Sequence, residues 1–178
     1  MTSTVRPART VAASLLGAAA SMAFVFGAPV TAAAAPAPAA PATQSAALAK
    51  LTQAEAASRL SAAGVTWSSS GNCTDRGNSS CTSFSQINDT TVAGVITLKQ
   101  ASGCAINITG GTEVGHAAGT YSHYNGYKVD VRHNSCIDGY VHSAFSRIGN
   151  RADGYPQWQA SSGNLYCDEG THWDIVYY

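Results

Sequence analysis

Two short stretches of the chain concentrate side chains that can hold a metal ion and move protons. They are Ser122-His123-Tyr124-Asn125-Gly126-Tyr127-Lys128-Val129-Asp130 and Glu169-Gly170-Thr171-His172-Trp173. In the first, Asn125-Gly126 is a strong tight-turn signal, and a turn there carries His123 back toward Asp130 on the strand that follows. An imidazole nitrogen and a carboxylate oxygen then meet at one ion. In the second, His172 offers a third ligand and Glu169 an adjacent carboxylate at or before the bend. Two neutral imidazoles and one carboxylate leave the fourth corner of a tetrahedral zinc ion open for water, the pattern of a catalytic rather than a structural site. Zinc brings the pKa of such a water to about 7, and a carboxylate outside the ligand set can take its proton. Glu169 suits that base role. Asp174, on the same strand face as His172, either holds an imidazole N–H from behind or is a solvated strand carboxylate.

The remaining histidines carry less. His116 lies in a glycine-punctuated loop, Gly115-His116-Ala117-Ala118-Gly119, where it either polarises a substrate carbonyl and stabilises the oxyanion or is a plain loop residue. His133 and His142 read as surface or hydrogen-bonded histidines. Tyr121, Tyr124, Tyr127, Tyr155, Trp158, Tyr166 and Trp173 crowd the same region; they either line a groove or pack in strands, and packing is the reading for Trp173 and Tyr177.

The elements that must position these groups follow from the sequence pattern. Thr52-Gln-Ala-Glu55 is a capping box that opens a helix with Ala56, Ala57, Leu60 and Ala63 on one face and Gly64 as its stop. A second helix is expected from Asp89 to Ala101, capped by Asn88, with Val92, Val95 and Ile96 in one stripe and Gly103 at its end. Cys104, Ile106 and Ile108 alternate with polar residues as in a half-buried strand, and Tyr127, Val129 and Val131 do so against Lys128, Asp130 and Arg132. Ser135 to Ile148 reads as a short helix. Tyr155–Ala160, Asn164–Asp168 and Thr171–Tyr178 read as strands, the last with Trp173, Ile175 and Tyr177 on one face. Helices first and a mainly antiparallel sheet afterwards make an α+β fold, with the zinc site carried on the sheet.

Composition sets the wider frame. Ten Lys and Arg balance ten Asp and Glu among 178 residues, and only 11% of residues are charged, so neither a nucleic-acid binder nor a disordered polyelectrolyte is expected. Arg6 and Arg9, an uncharged stretch from Thr10 to Val30 and the small residues before Ala35 read as a signal peptide over residues 1–34 rather than a membrane anchor, since Ala and Gly dilute the hydrophobicity and the Ala-x-Ala exit suits signal peptidase. Its removal leaves a secreted chain with no membrane-spanning segment. Residues 35–51 are an Ala/Pro-rich linker or propeptide remnant, and residues 52–178 the functional domain. In an exported chain the five cysteines favour disulfides over a thiolate metal site. Cys73 with Cys81 and Cys104 with Cys136 are the expected pairs. Cys167 is left over, as a half-buried strand residue, a partner for another chain, or a thiol near the site.

His-x-x-Gly-x-x-x-Asp followed by Glu-x-x-His-Trp near the C-terminus resembles the zinc D-alanyl-D-alanine carboxypeptidases and L-alanyl-D-glutamate endopeptidases of bacterial cell walls, relatives of lysostaphin-type enzymes and of the hedgehog amino-terminal domain. The resemblance spans Ile106 to Tyr178. It implies zinc on His123, Asp130 and His172, Glu169 as catalytic base, and peptidoglycan peptides as substrate. Members of that family commonly carry an arginine where this chain has Gly110-Gly111-Thr112-Glu113. An acid there is expected to repel a terminal carboxylate unless Arg132 or Arg151 serves, which favours internal peptide bonds or substrates presenting an amine. Two other classes compete with the peptidase: a non-catalytic secreted binding module on the same metal-bearing scaffold, and a metal-free, disulfide-stabilised inhibitor or lectin-like domain. Oligomeric state is not legible.

Overall fold

The computed structural model describes residues 48–178, so the expected leader and most of the linker lie outside the described residues. The described chain begins in structure. Lys50–Leu51 (β1) pairs antiparallel with Ile87–Asn88 (β3), and Ala49 O accepts a hydrogen bond from Asp89 N. Pairing with the rest of the fold therefore already includes residues ahead of the capping box.

The first helix, α1, runs Gln53–Ala62. Both halves of the capping box form: Glu55 N donates to Thr52 Oγ1 at 3.3 Å, and Thr52 N donates to Glu55 Oε2 at 2.9 Å. The helix ends where Gly64 takes φ +73°, a conformation that costs other residues. The second, α2, runs Asp89–Ser102 and ends on Gly103 at φ +67°. Asn88 stands at its N-cap but makes no side-chain cap bond. Strand pairing has pulled it inward: its side chain is fully buried and its backbone N–H donates to Gly126 O at 3.1 Å. The third, α3, is Ser135–Ala144, capped by Asn134. The helix expected to reach Ile148 stops earlier, because Phe145 turns extended and stacks on Tyr166 with ring centres 4.5 Å apart. Ser146–Ile148 then becomes strand β6, paired with Gln157–Gln159 (β7).

Seven strands form one sheet. With Thr66–Trp67 (β2), Asn107–Gly110 (β4), Lys128–Arg132 (β5), Leu165–Asp168 (β8) and His172–Val176 (β9), the order is β2-β4-β5-β9-β8-β7-β6. Only β2 pairs with its neighbour in parallel. The alternation read from the sequence sorts the two faces. Val129, Val131, Trp173, Ile175 and Tyr177 are buried in one cluster with Ala56 and Leu60 of α1, Val92, Val95 and Leu98 of α2, and Ile137 and Val141 of α3. Contact between α2 and the sheet is close enough that a Cβ on Gly94 would lie 2.2 Å from the Tyr177 ring. The other face of β5 and β9 carries Lys128, Asp130, His172 and Asp174.

Cys73 is bonded to Cys81 and Cys104 to Cys136, pairings typical of an oxidising, extracellular-type environment. Cys167 is free and buried, and burial pushes its thiol up to about 11, which makes it unreactive near neutral pH. Among the described residues no helix is long and apolar enough to cross a membrane.

Candidate metal centre

Register brings the site together. Asp130 in β5 pairs directly with Asp174 in β9, and Arg132 with His172. Directly paired residues share a face, so both carboxylates and His172 project to the side of the sheet away from the helices. His123 reaches them from the turn before β5. Gly126 N donates to His123 O at 2.7 Å and Tyr127 N to Ser122 O at 3.1 Å. Gly126 takes φ +79°, and a Cβ there would sit 2.6 Å from Gln86 O, so this turn requires glycine.

The His123 ring is fixed at one end and aimed at the other. Nδ1 lies 2.8 Å from Gly111 O, where only an N–H can bond. The neutral ring then has its lone pair on Nε2. That nitrogen faces Asp130 Oδ1 at 3.3 Å and Asp174 Oδ1 at 3.6 Å. Both of those oxygens are buried without a hydrogen-bond donor. A nitrogen lone pair and two carboxylate oxygens cannot remain together in a buried place without a cation between them. In the protein alone that cation is a proton: burial opposes charge on His123, but the Asp130 and Asp174 carboxylates outweigh it and raise the imidazole to about 10. Asp174 moves the other way, its burial more than offset by His123 and Lys128, which hold it well below the usual carboxylate range.

His172 joins the same oxygen, its Nε2 being 3.4 Å from Asp130 Oδ1. The edges of a tetrahedron with metal bonds of about 2.1 Å are roughly 3.4 Å long. The two imidazole–Asp130 separations, 3.3 Å for His123 and 3.4 Å for His172, each have the length of one such edge. His116 is also close. Its ring stacks on His123 with centres 3.9 Å apart, its Nδ1 lies 3.8 Å from Asp130 Oδ2, and its Nε2 is 3.1 Å from Glu113 Oε1. Donor atoms of His116, His123 and Asp130 all lie within 4.8 Å of one another, and this group could hold a metal ion.

Glu169 sits at the rim. The β8–β9 turn is closed by Glu169 N donating to His172 O at 3.0 Å and Gly170 N donating to Asp168 Oδ1 at 2.8 Å. It brings Glu169 Oε2 to 3.1 Å from His172 Nε2, while Glu169 Oε1 is ion-paired with Arg151. The four residues singled out as ligands and base therefore converge, together with His116, around one cleft of about 520 Å³ that also holds Lys128, Arg151, Asp153 and Tyr155.

Three residues take places that the sequence pattern left open or set otherwise. Asp174, read as an imidazole partner or a solvated carboxylate, is buried and meets an imidazole, though from the side of Asp130 rather than from behind: its Oδ1 points at the same His123 nitrogen as Asp130. Its Oδ2 accepts from Lys128 Nζ at 2.6 Å and Arg151 Nη1 at 2.7 Å. Arg151, which the sequence offers as a substitute cation, joins Asp174, Glu169 and Asp153, gathering the acids of the cleft. Glu113 corrects an expectation. Instead of lending its charge to the cleft it is buried, accepting from Ser83 N at 2.7 Å and Gly111 N at 3.0 Å. The inference that an acid here repels a terminal carboxylate therefore loses its basis. Arg132 points elsewhere, toward Asn107 and Ser68.

Comparison with protein-family models, with characterised proteins and with solved structures finds no match to this chain.

Proposed function

We propose that the protein is a secreted, zinc-dependent peptidase that cleaves peptide bonds in bacterial peptidoglycan. One observation carries the metal: donor atoms of His116, His123 and Asp130 all lie within 4.8 Å of one another, with His123 Nε2 aimed at the buried Asp130 and Asp174 carboxylates. The motif resemblance and the exported character of the chain carry the substrate class. His123, Asp130 and His172 would hold the ion, with Asp174 Oδ1 beside them. Zinc bound there supplies Lewis acidity toward a peptide carbonyl and a water molecule.

The chain's own residues do the rest. Glu169, oriented by Arg151 at one oxygen, takes the proton of the attacking water with the other and delivers it to the leaving amine. His116 lines the same cleft; its Nε2 is 3.1 Å from Glu113 Oε1, while its Nδ1, 3.8 Å from Asp130 Oδ2, is left to bear on the developing oxyanion.

Hydrolysis of purified peptidoglycan with and without added zinc tests this reading. Glu169→Ala is expected to bind zinc with unchanged stoichiometry and to lose turnover by a factor of about 100 or more. A variant as active as the wild type removes Glu169 from the mechanism. Zinc binding without turnover in the wild type selects the binding-module alternative, and no zinc binding at all rejects the metal centre.

A further inference from the structure

We propose that a second depression beside the metal cleft is a subsite for an uncharged residue of an extended peptide substrate, with walls set by Arg76 of the disulfide-closed loop. This rests on the peptidase reading above. The depression encloses about 300 Å³ and shares Gly115 and His116 with the cleft, so a chain lying across His116 occupies both. Its apolar walls are Val114, Ala118 and Tyr124. Val114 is 38% and Tyr124 49% exposed, which puts both among the most exposed large apolar side chains described.

These walls are held before any ligand arrives. The Arg76 guanidinium lies 3.7 Å from the centre of the Tyr124 ring and donates to Tyr124 O. The Arg76 carbonyl accepts from Val114 N at 2.9 Å. One residue thus fixes both sides. Its own loop is closed by Cys73–Cys81 and tightened by Gly77 N donating to Asp75 Oδ1 and Ser80 N to Asn78 Oδ1. On the opposite side Asn125 Nδ2 donates to Gly119 O at 2.9 Å and Thr120 O at 3.2 Å. Exposed apolar surface already fixed in shape binds without an ordering cost. Glu113 is the acid in the lining, and its carboxylate is spent on backbone N–H groups and His116. An uncharged residue suits this depression, while charged groups belong in the cleft.

Binding of two alanine peptides, blocked at both ends, to zinc-loaded Glu169→Ala protein tests the subsite by amide chemical shifts. The longer, pentameric peptide is expected to bind about tenfold more tightly than the dimer and to shift Val114, Ala118 and Tyr124; the dimer should shift cleft residues alone. Tyr124→Ala and Arg76→Ala should each erase the length dependence and leave dimer binding as it was. Should Arg76→Ala fail to fold, Tyr124→Ala, at an exposed side chain, decides alone. Equal affinity for both peptides, or shifts that miss those three residues, overturns the subsite. Wild-type turnover of the same peptides reports separately on the activity: length-dependent binding without hydrolysis would reject the peptidase and keep the subsite.

Discussion

His123 has its Nδ1 committed to a carbonyl and its Nε2 turned on two carboxylates, so proton and metal compete for one lone pair. With the imidazole raised to about 10, zinc binding near pH 8 should expel about one proton. Calorimetry in buffers of different ionisation enthalpy measures it, and affinity should climb with pH until about 10 is passed. Without metal the sign reverses. The raised folded value stabilises the protein fully below the ordinary 6.5 and ceases to do so as pH rises through about 10. Chemical denaturation of the metal-free protein across that window should show falling stability, and His123→Gln should flatten this contribution. Residue types made His123, Asp130, His172 and Glu169 visible in the sequence, since imidazoles and carboxylates near a turn have few common purposes together. Asp174 could be read from the sequence as an imidazole partner or a solvated carboxylate, and only the register of β9 against β5 sets it beside His123.

At the scale of elements, the strands place the donors and the turns aim them. Gly110 ends β4 against the Asp130 carboxylate, and a Cβ there would lie 2.3 Å from Asp130 Oδ2. Gly110→Ala should push that carboxylate aside and weaken zinc binding by about tenfold or more, with the circular dichroism of the fold retained. Competition with a chelating dye reads the loss. The β8–β9 turn that carries Glu169 is tied to α3 through a side-chain chain: Trp173 Nε1 donates to Asp138 Oδ1 at 2.8 Å, His133 Nδ1 is 2.7 Å from the same oxygen, and His133 Nε2 is 3.2 Å from Asp168 Oδ1. The bland reading of His133 as a hydrogen-bonded histidine thus agrees with its place. Asp138→Ala strands the indole N–H of a fully buried tryptophan and should cost about 1–3 kcal/mol, measured by denaturant titration. Helices α1 and α2 and strands β5 and β9 were legible because each repeats its period over several residues. Strand β2 has only Thr66 and Trp67, too few to show a period, and β6 was hidden inside a run that also suits a helix.

At the scale of the described molecule, residues 48–178, three helices, the sheet and two disulfides enclose one apolar core while the opposite face of the sheet stays polar and open to the cleft. Cys104–Cys136 links the chain after α2 to the start of α3 across 32 residues, whereas Cys73–Cys81 closes only 8. Loop-closure entropy grows with the loop, so replacing the long bridge by a pair of alanines should cost about 2–4 kcal/mol and lower the melting temperature more than the same change at the short one. The short bridge should matter instead for the peptide subsite that Arg76 shapes. By itself the sequence determined the period of each long element, and with it which side chains face the core, because side-chain direction in a strand or helix is a local property of the backbone. It also determined the residue types able to bind a cation. The tertiary structure alone decided which of them meet: strand register set Asp174 opposite Asp130, a buried turn withdrew Glu113 from the cleft, and Arg151 crossed between elements to join three acids. Such pairings join residues far apart in the chain, and no local pattern encodes the distance between them.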